Sequence, residues 1–299
     1  MVYYNTITIS CENIVIKPSA WDALPQEIKK NFEFVFRASL DIVQEDIPMM
    51  ELFRKSVNAS REALAKVEVR EELTYHYAIV RVYSKMLVTS CAIYTLLING
   101  YPDDAMALCR QLYESLVSID TLLKGKQKND TELLERFMDA PAIMELKNDY
   151  EMVLYALKHD PNNQHAKSQL DMINNGSQKY LQKYRKDEIK DFKDYWWSGY
   201  DNLTKMAQQS DFQKGYIYSL LSDKVHMNAL GAFHYLDNSE PGIPLGDVDG
   251  GKQQPLWYTS RFLYCSAGII YDHYPEMCPQ SVIDLLKQFS IEASRKMKQ

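Results

Sequence analysis

Glycine and proline are scarce in this sequence, since each occurs only 11 times among 299 residues. Several of them cluster between Pro241 and Pro255, so the rest of the chain has few residues that interrupt a helix. The sequence also lacks a run of 18 apolar residues and an amino-terminal segment in which charged residues precede an apolar stretch. These absences argue against a membrane partner and a secretory signal, and they make the cytoplasm the expected location.

Cysteine is also infrequent, with five residues and no Cys-x-x-Cys spacing. The sequence has no His-Glu-x-x-His motif either, so it predicts no metal site and no cofactor. The net charge of −6 argues against broad, non-specific binding to nucleic acid, because such binding needs clustered cations. A local basic patch is still compatible with that charge.

Most of the sequence shows helical periodicity. Apolar spacing predicts helices over about 48–67, 70–98, from Pro102 onward, 256–274 and 280–298. Asn99-Gly100 is a predicted helix stop and Asp130 a predicted helix cap. Two interruptions are also expected, a kink or break at Pro141 and a turn at Asn174-Asn175-Gly176.

These elements predict an all-α fold, a multi-helix bundle. Polar and apolar residues alternate over 6–10, and Ile14-Val15-Ile16 is β-branched, so residues 1–18 are expected to form an extended or short-strand arm. A single helical domain is expected over 19–299, and the Gly/Pro-rich stretch near 237–255 is expected to form an irregular loop.

One predicted helix, over about 211–236, carries a polar line on an apolar side. Tyr218, Ser222 and His226 follow one another at four-residue steps and therefore share a face. A histidine placed there needs a partner, because an unpaired buried polar group costs about 1–3 kcal/mol. A core histidine bonded to Ser222 or to a carboxylate of a neighbouring helix would satisfy the same pattern.

A second polar line lies on the helix that begins at Pro102. Arg110 and Glu114 are four residues apart, so they are expected to pair with each other or to point into a shared pocket. Arg136 and Asp139 follow on the next predicted helix. If these helices bring the polar lines together, the site has groups suited to phosphate chemistry.

The roles expected at such a site follow from the residue types. His226 would act as general acid and base because its pKa lies near neutrality. Arg110 and Arg136 would hold a phosphate through paired N–H donors, and Glu114 would orient the histidine or act as a second base. The residues expected to bind the substrate are Tyr218, Ser222 and Asp139.

Lysine and arginine alternate with aromatic residues between Lys179 and Trp197. Such alternation suits stacking on single-stranded bases. Four acidic residues dilute the positive charge, however, so a solvated helix followed by a buried aromatic anchor is the favoured interpretation.

Three motifs together resemble a known family. They are Arg110 to Glu114, Glu135 to Asp139, and Trp197-Ser198-Gly199 leading to Tyr218-x3-Ser222-x3-His226. In order and spacing they resemble the bacterial domain-of-unknown-function family 5677, over about residues 70–275. The resemblance implies an all-α bundle with a candidate site.

That family looks similar in architecture to HEPN domains, the helical ribonucleases of toxin–antitoxin and phage-defence systems. Their signature is an arginine followed, after four to six residues, by a histidine. Arg70 and His76 match this spacing, whereas His226 has no arginine in the required window. The resemblance implies an effector of defence or toxicity that acts on RNA or a nucleotide.

Two other functions are compatible with the same residues. The Arg/Glu/His cluster is also what a non-catalytic regulatory or interaction protein would use to fix helix register. A small-ligand sensor would use the loop over 237–255 as a lid. The 21 tyrosines and the unmatched arm predict a homo-oligomer or a complex with a partner protein.

Overall fold

The computed structural model describes residues 47–68, 74–212, 221 and 253–298. Over these ranges the fold is the predicted all-α bundle, with no strand. None of the helices in these ranges is long and apolar enough to cross a bilayer. The predicted arm over 1–18 and nearly all of the predicted loop over 237–255 lie outside the described residues.

The described residues form eight α-helices. In chain order they are α1 over 47–65, α2 Tyr75–Ile98, α3 Pro102–Gln127, α4 Thr131–His159, α5 Gln164–Tyr184, α6 Leu203–Gln208, α7 Gln253–Tyr271 and α8 Gln280–Lys296. Two short 3-10 turns, Ile189–Asp191 and Trp196–Ser198, lie between α5 and α6.

The main core lies between α1, α2, α3, α7 and α8. Helix α3 packs along α2 on one side and against α7 on another, and α7 also packs against α8. The buried ring of Phe53 stacks on Phe289 with ring centroids 4.9 Å apart, which joins α1 to α8. The turn between α2 and α3 requires Gly100, whose φ of +80° lies in the left-handed region.

Helices α4 and α5 form a pair at the side of this core. The C-terminal half of α4 and the N-terminal half of α5 bury a small separate cluster, formed by Val153, Ala166 and Ile173. The predicted cap of α4 is confirmed, since the Leu133 N–H donates to the Asp130 carboxylate at 2.9 Å. The N-terminal part of α4 packs against the Trp196–Ser198 turn, and this contact positions the candidate site.

The two predicted interruptions do not break these helices. Helix α4 continues through Pro141, because packing against α5 and the Trp196–Ser198 turn offsets the backbone hydrogen bond that proline removes. The turn predicted at 174–176 is wrong, because these residues lie inside α5. There Ile173 and Ser177 are buried, so tertiary packing outweighs the turn preference of the Asn-Asn-Gly sequence.

The boundaries of α7 also differ from the prediction. The helix begins at Gln253, so the irregular loop ends before residue 255. Pro255 lies in the first turn, where a missing N–H removes no helical hydrogen bond. The helix ends at Tyr271 rather than near 274, because Pro275 disfavours helical geometry at Tyr274.

Candidate functional site

A polar cavity of about 610 Å³ opens beside the end of α5. This volume lies within the usual range for small-molecule sites. Its walls come from the first turns of α4, the end of α5 and the irregular segment over 185–201. The lining residues are Glu132, Arg136, Lys183, Tyr184, Arg185, Lys186, Asp191, Lys193, Trp196, Gly199, Tyr200 and Asp201.

Buried aromatic rings hold the irregular segment against the bundle. Helix α5 ends at Tyr184; its C-cap, Arg185, has a left-handed φ of +52°, and the chain then turns back toward α4. Trp196 makes edge-to-face contacts with Tyr184 at 4.8 Å and with Phe192 at 4.7 Å between ring centroids. The predicted buried aromatic anchor is therefore confirmed, and it places the neighbouring cations around the cavity.

An ion-pair cluster fixes α5 to α4 behind the cavity. Lys183 donates to Asp139 at 2.9 Å and pairs with Glu135 at 3.0 Å, while the Tyr184 hydroxyl donates to Asp139 at 2.6 Å. The hydrogen bond to Asp139 holds the pKa of Lys183 above its ordinary value. Burial, together with the same carboxylate, raises the pKa of Tyr184 to about 12. Asp139 therefore joins the two helices.

Arg136 lies in the wall of the cavity and is held from two sides. Its Nε donates to the Trp197 carbonyl oxygen at 3.1 Å, and its Nη1 donates to Glu132 at 2.8 Å. The first bond links α4 to the aromatic anchor, and the second neutralises an acidic residue of the lining. The position of the guanidinium is therefore fixed before any ligand binds.

The charges of the lining are unevenly paired. All three acidic residues are engaged, since Glu132 accepts from Arg136, Asp191 accepts from the Glu188 N–H and Asp201 pairs with Lys205. By contrast, the three cations Arg185, Lys186 and Lys193 form no ion pair within the described ranges, and all three are exposed. The cavity therefore has a local excess of positive charge although the chain is acidic.

Trp196 adds an unusual feature to the wall. Its side chain is only 9% exposed, and its buried indole N–H has no acceptor within the described part of the chain. Buried donors of this kind are normally paired, because leaving one unpaired costs about 1–3 kcal/mol. The ring itself remains well packed by Tyr184 and Phe192.

Four of the residues predicted as a site from sequence lie within the described ranges, on α3 and α4. Arg110 and Glu114 form an ion pair on α3, with Nε and Oε1 3.1 Å apart, and both side chains are partly exposed. Pairing with each other was one of the two arrangements expected from the sequence. The hydrogen bonds of Arg136 and Asp139 within the described ranges lead to Glu132, Trp197 and α5 instead. The three predicted residues outside the described ranges are Tyr218, Ser222 and His226.

The cations of the cavity were not predicted as a site from the sequence. The residues concerned are Lys183, Arg185, Lys186 and Lys193. The alternation of cations and aromatic residues between 179 and 197 was the available signal. The structure separates its two components, because Phe192 and Trp196 are buried while the cations line a cavity.

No group of three or more His, Cys, Asp or Glu side chains is close enough to hold a metal ion within residues 47–68, 74–212 and 253–298. The cavity is therefore best described by its cations, its rings and its engaged carboxylates.

Comparison of the chain with curated proteins and with solved structures gives no significant match. A family model does match, over residues 76–243, and its description is a family of unknown function, DUF5677. The matched range includes α2 to α6 and the whole lining of the cavity. The chain therefore belongs to the family of unknown function DUF5677.

Proposed function

We propose that this protein binds a nucleotide or a short RNA through phosphate groups in the cavity beside α5. The observation that carries the proposal is the uneven pairing of the lining, in which Arg185, Lys186 and Lys193 form no ion pair with any residue that the structure describes, while the three acidic lining residues are all engaged. Three cations around one cavity suit a phosphate, because charge-assisted hydrogen bonds are the stronger ones.

The rest of the lining favours a nucleotide over inorganic phosphate. The cavity is much larger than one phosphate group, and the half-buried ring of Tyr200 lines it. A ring in this position offers a surface on which a base can stack, which contributes about 1–3 kcal/mol per base. The guanidinium of Arg136 is already fixed by Glu132 and Trp197, so its ordering adds little cost to binding.

The test is calorimetric titration of the protein with AMP, ATP, a short RNA and inorganic phosphate. The cavity variant carries Lys186→Gln and Lys193→Gln, and the matched control carries Lys179→Gln and Lys190→Gln. All four lysines are exposed and lie in one segment, but the control pair does not line the cavity. We expect the cavity variant to bind a nucleotide about tenfold or more weakly, since each lost charge-assisted bond is worth about 1.5–3 kcal/mol. Equal binding by both variants contradicts the proposal.

We further propose that the protein is a HEPN-like effector of a defence or toxin system and that it cleaves RNA. This proposal rests on the resemblance and on the Arg110–Glu114 pair, which is partly exposed and only 3.1 Å long. The assay compares RNA cleavage by the wild type, His226→Ala and Arg110→Ala, with thermal unfolding of each variant as the folding control. Cleavage that both substitutions abolish without loss of folding supports this proposal, and equal cleavage by all three proteins rejects it.

The remaining outcomes of these assays separate the alternatives. Nucleotide binding without RNA turnover favours a small-ligand sensor, and the absence of both favours a regulatory or interaction protein. The homo-oligomer expected from the sequence is tested separately by light scattering of the purified protein.

A further inference from the structure

A second basic region lies far along the chain from the cavity residues, in a groove between α7 and α8. The groove has a volume of about 380 Å³, and every charged residue that lines it is a cation. Those cations are Arg261, Lys287, Arg295 and Lys298. Four cations and no acidic residue form an unusual lining in a chain whose net charge is −6.

Most of this positive charge is not neutralised by nearby groups. Lys287 and Lys298 are exposed and form no ion pair within the described ranges. Arg295 pairs with Glu292 on its own helix, and Arg261 extends over the Trp257 ring at 5.8 Å. The negative end of the α8 dipole accounts for cations in the last turn, but it does not account for Lys287 in the middle of α8 or for Arg261 on α7.

Two lysines of the groove lie near the two ends of its α8 wall. Lys287, Ser290 and Ser294 follow at steps of three or four residues on one face of α8, and Lys298 lies in the turn that follows the helix. From Lys287 to the last residue of α8, Lys296, the helix rises about 14 Å, and Lys298 lies beyond that end. One small anion cannot contact both ends of this wall, whereas an elongated polyanion can.

An anionic membrane fits the groove less well. The apolar side of α8 is already used in the core, where Val282, Leu286 and Phe289 are buried. Ile291 is the large apolar side chain that the groove exposes, and a single exposed residue of this kind is common on protein surfaces. Membrane-surface helices need a continuous apolar face for insertion, and α8 does not offer one.

We infer that the α7–α8 groove binds the phosphodiester backbone of a nucleic-acid strand. Lys287 and Lys298 contact phosphates near the two ends of the bound segment, and Arg261 contributes from the opposite wall. This recognition is independent of base sequence, because cations that contact phosphates carry no sequence information. The site differs from the cavity beside α5 in its residues and helices, so each can be tested without the other.

The experiment measures fluorescence anisotropy of a labelled single-stranded RNA of about 12 nucleotides, and of the DNA of the same sequence, over a series of salt concentrations. The groove variant carries Lys287→Glu and Lys298→Glu. The control carries Lys158→Glu and Lys167→Glu, which change the net charge equally at exposed positions at the far end of the α4–α5 pair.

We expect the groove variant to bind both strands about tenfold or more weakly than the wild type. The slope of log affinity against log salt concentration should also fall by about 1.4, since each phosphate contact to a single strand contributes about 0.7. The control should keep the wild-type slope. The groove variant should still bind AMP with the wild-type affinity in the calorimetric titration, because neither substituted lysine lines the cavity, and this result separates the inference from the proposed function.

Three results would overturn the inference. The first is equal weakening by the groove variant and the control, which would indicate an effect of net charge alone. The second is an absence of strand binding by the wild type at low salt. The third is binding to phosphatidylserine vesicles that depends on Lys287 and Lys298 while the oligonucleotides do not bind, which would assign the groove to a membrane surface.

Discussion

The cavity beside α5 and the groove between α7 and α8 are both basic, but they are built differently. In the cavity, acidic residues are engaged by Arg136, Lys205 and the backbone, and aromatic rings form part of the wall. In the groove, the charged lining is entirely cationic, with Arg261 on α7, Lys287 and Arg295 on α8 and Lys298 in the turn after α8. The cavity is thus a shaped site with fixed groups, while the groove is a line of charge.

This difference predicts different kinds of recognition. Fixed donors around an enclosed volume discriminate between ligands by shape, because a ligand that leaves buried polar groups unpaired binds weakly. A line of exposed lysines discriminates mainly by charge, and screening by salt weakens it. The predictions below test this contrast, from the largest expected effect to the smallest.

The largest effect is expected from Trp196→Ala. The substitution removes a ring that is 91% buried and packs against Tyr184 and Phe192, so it should destabilise the fold by about 3–5 kcal/mol. Urea unfolding measures the loss. Trp196→Phe is the control, because it keeps most of the ring contacts and removes an N–H that has no acceptor among the described residues. It should cost less than half as much. Nucleotide binding should be lost with Trp196→Ala, while strand binding in the groove should persist where the protein remains folded.

Sequence reasoning located the helices well, because their boundaries depend on local chemistry. The stop at Gly100, the cap at Asp130 and the start of α3 at Pro102 each follow from one or two neighbouring residues. It failed at 174–176, where the local turn preference is outweighed by the burial of Ser177 and by the packing of Ile173 in one cluster with Val153 of α4.

The cavity was less predictable because its residues come together only through tertiary packing. The lysines at 183, 186 and 193 look like an ordinary solvated face when they are read along the sequence. They line one cavity only because α5 ends at Tyr184 with a left-handed cap at Arg185, and because the packed rings of Phe192 and Trp196 turn the chain back toward α4. The Arg110–Glu114 pair, in contrast, is separated by one helical turn and was predictable.

The second prediction concerns salt. A strand that contacts about three phosphates in the groove should lose affinity by about 20-fold between 50 mM and 200 mM salt, because counterion release gives a slope near −0.7 per contact. AMP in the cavity, with a single phosphate, should lose only a few-fold over the same range. Anisotropy and calorimetry supply the two slopes. Equal slopes would mean that the two regions do not differ in the way that their linings indicate.

The third prediction concerns the ion-pair cluster behind the cavity. Asp139→Asn should destabilise the protein by about 1 kcal/mol, because Lys183 and Tyr184 lose a charged acceptor in a partly exposed position. Asp149→Asn is the matched control, since Asp149 is an exposed residue of the same helix and makes no ion pair within the described ranges. Urea unfolding compares the two variants. Strand binding in the groove should be unchanged in both, and a change there would show that the two regions are coupled.

The smallest effect is expected at high pH and comes from Tyr184. Burial, followed by the hydrogen bond to Asp139, raises its pKa to about 12 from an ordinary value near 10. A raised pKa in the folded state means that the stabilising contribution is fully present below about pH 10 and is lost as the pH rises toward 12. Tyr75 and Tyr274, whose pKa values burial also raises to about 12, share this loss.

Tyr184→Phe should therefore reduce the fall in unfolding free energy over this window by about 1 kcal/mol or less, since the hydroxyl is partly screened by solvent. Urea unfolding over the pH series measures the change, and tyrosinate absorbance follows the ionisation. A Tyr184 that ionises near pH 10 in the difference spectrum between wild type and variant would contradict both the burial of its hydroxyl and the bond to Asp139.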